Sequence, residues 1–165
     1  MKTIIIYASK YGYAEDCVKE LAAQLQGEIL CVNIATSEIP LISEADNLII
    51  GGSIYVGQVD KKLKAYCEAK LELLLQKRIG LFIACGMPEN FQLNMQNAFP
   101  AALIEHALVK TCLGAELRIA KMNFFHKTVA KVMEKAIAKE GKASICPLPE
   151  NITVLAEAFN GQIVG

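Results

Sequence analysis

The chain has 165 residues, enough to bury most of the apolar surface that its unfolded form exposes and the right size for one domain. Its 17 basic and 17 acidic residues leave a formal net charge of zero, which gives no basic field of the kind that nucleic-acid binding needs. The hydrophobic share of 53% is high, yet no run reaches the roughly 18 apolar residues of a spanning helix, and six dispersed cysteines with two histidines argue against a metal centre.

The opening "MKTIIIYASK" carries a lysine and a short apolar run, but lysine, glycine and acids follow at once, so it reads as a buried strand over residues 2–8. Residues 28–34, 46–52 and 79–85 are similar β-branched runs of the type that fills a parallel sheet buried on both faces. Between them the spacing predicts helices. Ala14, Cys17, Val18, Leu21, Ala22 and Leu25 recur at three and four over 13–26, with Gly27 as the stop. Leu63, Cys67, Leu71 and Leu74 mark a second helix over 59–75, and a third is expected over 96–108 with Pro100 near its start. Residues 109–122 read as a fifth strand broken near Gly114. A helix over 123–139 follows, with Phe125, Val129, Val132, Met133, Ala136 and Ile137 as its apolar positions, and a last one covers 151–160. Such alternation makes an α/β layer fold, in which ligands bind beyond the carboxyl ends of the strands.

Three loops therefore carry the chemistry. In "YASKYGYAED" the amides at the start of the first helix lack internal partners and carry the positive end of its dipole, Gly12 permits a tight turn, Ser9 offers a hydroxyl and Lys10 a charge. A phosphate suits that arrangement. Neither Gly-x-x-x-x-Gly-Lys nor Gly-x-Gly-x-x-Gly occurs, so a nucleoside triphosphatase and an ordinary dinucleotide site are unsupported. In "IIGGSIYVGQ" two glycines end the third strand and leave Tyr55 placed to stack on a flat ring. The third loop begins at Cys85 and Gly86 and continues through Asn90, Phe91 and Asn94, a length at which specificity often resides. No serine, histidine and acid constellation is evident; His106 and His126 read as helix-surface or capping residues. Nothing points to export, so the cysteines are expected to be reduced and buried and the chain cytoplasmic.

Taken in order, "YASKYGYAED", "IIGGSIYVGQVDKKLKAYC" (49–67) and "GAELRIAKMNFF" (114–125) resemble the flavodoxin family, and within it the flavodoxin-domain proteins related to the menaquinone-dependent protoporphyrinogen oxidase. The resemblance implies a single flavodoxin-like domain over 1–165, with a doubly wound five-stranded parallel sheet of order 2-1-3-4-5 and helices on both faces. It also implies FMN, its phosphate in the loop Ser9, Lys10, Tyr11, Gly12, Tyr13 and Ala14, and its ring between the second and third loops. Ser53, Ile54, Tyr55 and Gly57 would line the ring on one side and Cys85, Gly86 and Asn90 on the other. The chain departs from the family's Ser-Lys-x-Gly-Ser-Thr pattern at Tyr13 and Ala14, where two hydroxyl donors would stand. Each lost hydrogen bond to a charged group costs about 1.5 to 3 kcal/mol.

Electron transfer through FMN is thus the expected role, as an oxidoreductase with a quinone, a porphyrin or a redox protein as partner. An electron carrier, and a binding domain that keeps the fold without the cofactor, are the alternatives. Lys127, Lys131, Lys135 and Lys139 recur every four residues, with Lys121 and Lys142 outside them. They form either a solvated face or a basic edge for anionic lipid at the inner face of a membrane.

Overall fold

A computed structural model describes residues 1–116, 124–139 and 145–161. Five strands, β1 (Lys2–Ala8), β2 (Glu28–Asn33), β3 (Asn47–Ser53), β4 (Arg78–Ala84) and β5 (Val109–Cys112), form one sheet in which every pairing is parallel and the order is β2-β1-β3-β4-β5. The first four lie within a residue of the expected strands. The continuous apolar runs are needed because the sheet has helices on both sides: Ile5, Tyr7, Ile49, Phe82 and Ala84 pack against α1 (Tyr13–Gln24) and α7 (Pro149–Asn160). On the other face Ile4, Ile6, Leu48, Ile50, Leu81 and Ile83 meet α2 (Lys61–Ala69), α3 (Leu71–Leu74), α4 (Phe91–Ala98) and α5 (Ala101–His106). A sixth helix, α6 (Phe124–Lys139), stands beyond the carboxyl end of the sheet.

Where the elements differ from the sequence reading, local chemistry explains it. The helix expected over 59–75 begins at Lys61, because the Asp60 carboxylate accepts from the Lys62 amide at 2.8 Å and caps it there. It breaks at Lys70. The helix expected over 96–108 is instead two: the ring of Pro100 forces Phe99 into an extended conformation, ending α4 and letting α5 start afresh. The fifth strand is described to Cys112; residues 117–122, Asn123, Lys121 and Lys142 lie outside the described residues.

Gly51 and Gly52, read as ends of a strand beside a ring, lie inside β3. The ring and carbonyl of Phe82 on the neighbouring strand fill the space a Cβ on Gly51 would need, so packing accounts for this glycine. Of the six cysteines, Cys17, Cys67, Cys85 and Cys112 are buried as expected, whereas Cys31 on the edge strand β2 and Cys146 are exposed; all are free thiols.

Candidate functional site

At the carboxyl end of β1 the chain turns through Ser9–Gly12 into α1. Gly12 takes φ +94° as the residue before the helix, a conformation glycine adopts without steric cost. This turn draws the amides of Gly12 and Glu15 onto one oxygen, the Ser9 hydroxyl, at 3.2 and 3.3 Å. The positive end of α1 is thus focused on a single acceptor position. Lys10 is exposed, with its ammonium 5.5 Å from the centre of the Tyr11 ring.

Tyr13 and Ala14, where the resemblance leads one to expect hydroxyl donors, face inward. Ala14 is 0% exposed under α1, and Tyr13 is buried, its hydroxyl donating to the Leu113 carbonyl at 2.6 Å. That bond ties the start of α1 to the end of β5, and burial pushes the phenol above its usual range. Tyr7 is fixed similarly by donation to Glu15 at 3.1 Å; burial, with the carboxylate beside it, pushes its pKa up to about 12.

The loop after β3 is a tight hairpin in which the amides and carbonyls of Tyr55 and Gln58 bond reciprocally at 2.9 and 3.0 Å. Both central residues, Val56 and Gly57, have positive φ, +52° and +72°. Glycine is at ease there, but a β-branched residue is strained. Tyr55 meets the Tyr11 ring edge-on at 5.2 Å and lies parallel to the His126 imidazole at 5.1 Å. The Tyr11 hydroxyl and His126 Nδ1 are 2.7 Å apart. Three aromatic side chains from three distant segments therefore meet at one point, and the contact joins α6 to the loops after β1 and β3. Burial and the nearby Lys10 hold the imidazole below its usual pKa.

Behind this cluster lies a cavity of about 180 Å³. Its walls are the Ser53–Gly57 segment, the Ala84–Met87 segment with Asn90 and Asn94, and the inner face of α6 from His126 to Met133. It lies next to the switch point of the sheet, where β1 has β2 on one side and β3 on the other. Of the residues singled out from sequence, Tyr13, Ser53, Ile54, Tyr55, Gly57, Cys85, Gly86 and Asn90 line it. Ser9, Lys10, Tyr11, Gly12 and Ala14 are outside its lining, in the turn that borders it.

His126, expected as a helix-surface or capping residue, lies half-buried on α6 in the wall of the cavity. A signal existed: 126, 130 and 133 share one helical face with the apolar stripe, opposite the lysines. Phe125 and Val132, assigned to that stripe, are 62% and 61% exposed. His106 lies away from the cavity, its Nε2 2.7 Å from the Lys77 carbonyl, so it joins α5 to the start of β4.

Comparison with known proteins agrees with this topology. No curated protein matches the chain by sequence. Among solved structures, oxidised Flavodoxin 1 from Bacillus cereus superposes with a TM-score of 0.54 at 15% identity, covering 99% of both chains. The rubredoxin oxygen:oxidoreductase of Desulfovibrio gigas gives 0.55 at 16% identity over 86% of this chain; the match spans 37% of that longer protein. A flavodoxin, WrbA-like protein from Agrobacterium tumefaciens gives 0.50 at 16% identity over 81% of this chain and 98% of the other. At such identities the likeness is one of fold. The model of the flavodoxin domain matches residues 4–144, from within β1 to beyond α6, and so takes in every residue that lines the cavity except Ile145. By that match the chain belongs to the flavodoxin-domain family.

Proposed function

We propose that the chain is an FMN-binding redox protein whose cofactor lies along the carboxyl edge of the sheet, from the Ser9–Ala14 turn into the cavity. The observation that carries this reading is the pairing of two features side by side: amides gathered on one oxygen at the tip of α1, and a mostly apolar cavity bordered by Tyr55. Flavodoxins hold FMN at this same switch point. The donor set fits a phosphate monoester, since the Gly12 and Glu15 amides already share an oxygen acceptor and Lys10 adds charge. The ring end fits too, because His126 shows that a flat heteroaromatic ring lies parallel to Tyr55. In this reading Ser9, Gly12 and Lys10 hold the phosphate. Tyr13 and Ala14 shape the turn from beneath, and Tyr55, Ser53, Ile54, Gly57, Cys85, Gly86 and Asn90 enclose the ring. Bound FMN supplies one- and two-electron transfer, and the protein orients the ring and excludes water from it.

The test is direct. Protein mixed with FMN and passed through a gel-filtration column emerges yellow, with the fluorescence of the flavin altered. Lys10→Ala, which removes a charge-assisted contact, and Tyr55→Ala, which removes the stacking surface, each weaken binding about tenfold, or roughly 1.4 kcal/mol. A colourless protein favours a binding domain that keeps the fold without cofactor, the reading that Tyr13 and Ala14 motivate.

Within this reading we favour an oxidoreductase related to the menaquinone-dependent protoporphyrinogen oxidase over a simple carrier. Its support is the sequence likeness over 49–67 and 114–125, together with the surface of α6. There Phe124 is 87% exposed, and Phe125 and Val132 are open beside Lys127, Lys131, Lys135 and Lys139. Apolar side chains among lysines suit an anionic lipid surface, where a quinone acceptor resides. Among the described residues no helix is long and apolar enough to cross a membrane. Flotation with vesicles containing anionic lipid, compared with neutral vesicles, tests the contact. Turnover of a porphyrinogen with a quinone acceptor tests the activity.

A further inference from the structure

Cys85 follows the end of β4 and Cys112 ends β5, two neighbouring strands whose register pairs Ile83 with Cys112. The topology thus brings two residues that are 27 apart in sequence to a sulfur–sulfur separation of 3.4 Å. Both are buried, but Cys85 also lines the cavity, while Cys112 stands behind it. Polar partners surround them: Cys85 Sγ is 3.6 Å from the Met87 carbonyl, and Cys112 Sγ is 3.7 Å from the carbonyl of Cys85. The pair behaves as one acid. The hydrogen bond shared by the two sulfurs, with the amides of Gly114 and Cys85 also directed at Cys112, lowers Cys112 to about 6 and raises Cys85. Cys67 provides the contrast: buried without another thiol beside it, it is pushed up to about 12 by burial and is inert at neutral pH.

We propose that Cys85 and Cys112 form a redox site of their own, a dithiol that a small hydroperoxide entering the cavity oxidises to a disulfide joining the ends of β4 and β5. The Cys112 thiolate takes the Cys85 proton across the sulfur–sulfur contact as Cys85 Sγ attacks the terminal oxygen of the hydroperoxide. The O–O bond breaks, Cys85 becomes a sulfenic acid and the leaving oxygen departs as an alcohol, or as water from hydrogen peroxide, with a proton from solvent. The Cys112 thiol then attacks the Cys85 sulfur, forms the S–S bond and expels water, losing its own proton. Two thiols and one hydroperoxide have become a disulfide, an alcohol and water. Two molecules of a low-molecular-weight thiol reset the pair and leave as their own disulfide. Closure requires the sulfurs to approach by roughly 1.4 Å, from this contact to the about 2.05 Å of a disulfide. The Asn94 side chain, directed at Cys85 from the cavity wall, stabilises the anion during attack.

This site does not depend on flavin, so it is tested on the full chain as purified, whatever its flavin content. One equivalent of hydrogen peroxide is added, free thiols are alkylated and peptides are mapped. The expected result is the loss of two hydrogen atoms from the intact mass and a crosslink between the peptides carrying Cys85 and Cys112. It should form at least about tenfold faster than any oxidation of exposed Cys31, and glutathione should reverse it. A Cys31→Ser, Cys146→Ser variant, which removes the two exposed thiols, gives the same crosslink. Cys112→Ser, which removes both the base and the resolving thiol, forms no crosslink and oxidises Cys85 at least about tenfold more slowly, to a sulfenic acid that dimedone traps, and Cys85→Ser leaves Cys112 unreactive. Should Cys85 and Cys112 both remain alkylatable after peroxide, pair with other cysteines, or oxidise no faster than Cys31, the proposal is overturned.

Discussion

At the scale of single residues, the cavity rim stores strain and hydrogen bonds in positions that the periodic pattern does not mark. Val56 sits at φ +52° at the tip of the Tyr55–Gln58 hairpin, where asparagine or glycine would be relaxed. Val56→Asn is expected to raise stability by about 1 kcal/mol, read as a higher urea midpoint. That a strained residue persists beside the cavity fits a role there for its exposed side chain. Tyr13 illustrates the opposite case, a buried side chain held by a hydrogen bond rather than by strain. Tyr13→Phe keeps the ring and removes the bond to the Leu113 carbonyl, and is expected to cost about 1 to 2 kcal/mol in denaturant unfolding.

At the scale of elements, α6 is held over the site by its inner face and by His126, which bonds to Tyr11 and lies parallel to Tyr55. The imidazole is held below its ordinary pKa of 6.5, so between the lowered value and 6.5 the unfolded chain binds a proton that the folded chain does not. Stability from this contact is complete above about pH 6.5 and is lost as the pH falls below it. Thermal unfolding followed from pH 7.5 down to 5 is expected to show the decline in the parent, and a flatter profile in His126→Ala. The same variant uncovers one face of Tyr55. If FMN stacks there, its association quickens several-fold, since about 0.5 to 1.5 kcal/mol of ring contact no longer has to be broken.

For the whole molecule, stability and site share a framework, because the sheet that separates two apolar layers also carries the loops at its carboxyl edge. Phe82, fully buried in β4 and filling the space over Gly51, belongs to the layer under α1 and α7. Phe82→Ala is expected to cost about 3 to 5 kcal/mol, lowering the urea midpoint without a change in its slope. The class of this architecture was legible in sequence, since strands buried on both faces must be continuously apolar and the helices between them must repeat at three and four. The first four strands are accurate to a residue for that reason, and the helix boundaries less so, because Asp60 and Pro100 act through caps and backbone sterics rather than periodicity. The residues after β3 and β4 could be named in advance, because any parallel sheet exposes its loops at that edge. What the chain alone determined is therefore its layers and the edge at which the cavity opens. The meeting of Tyr11, Tyr55 and His126, the inward turn of Tyr13 and the contact of Cys85 with Cys112 were decided by tertiary structure alone: each joins segments far apart in sequence, and no local pattern encodes a distance that only folding closes.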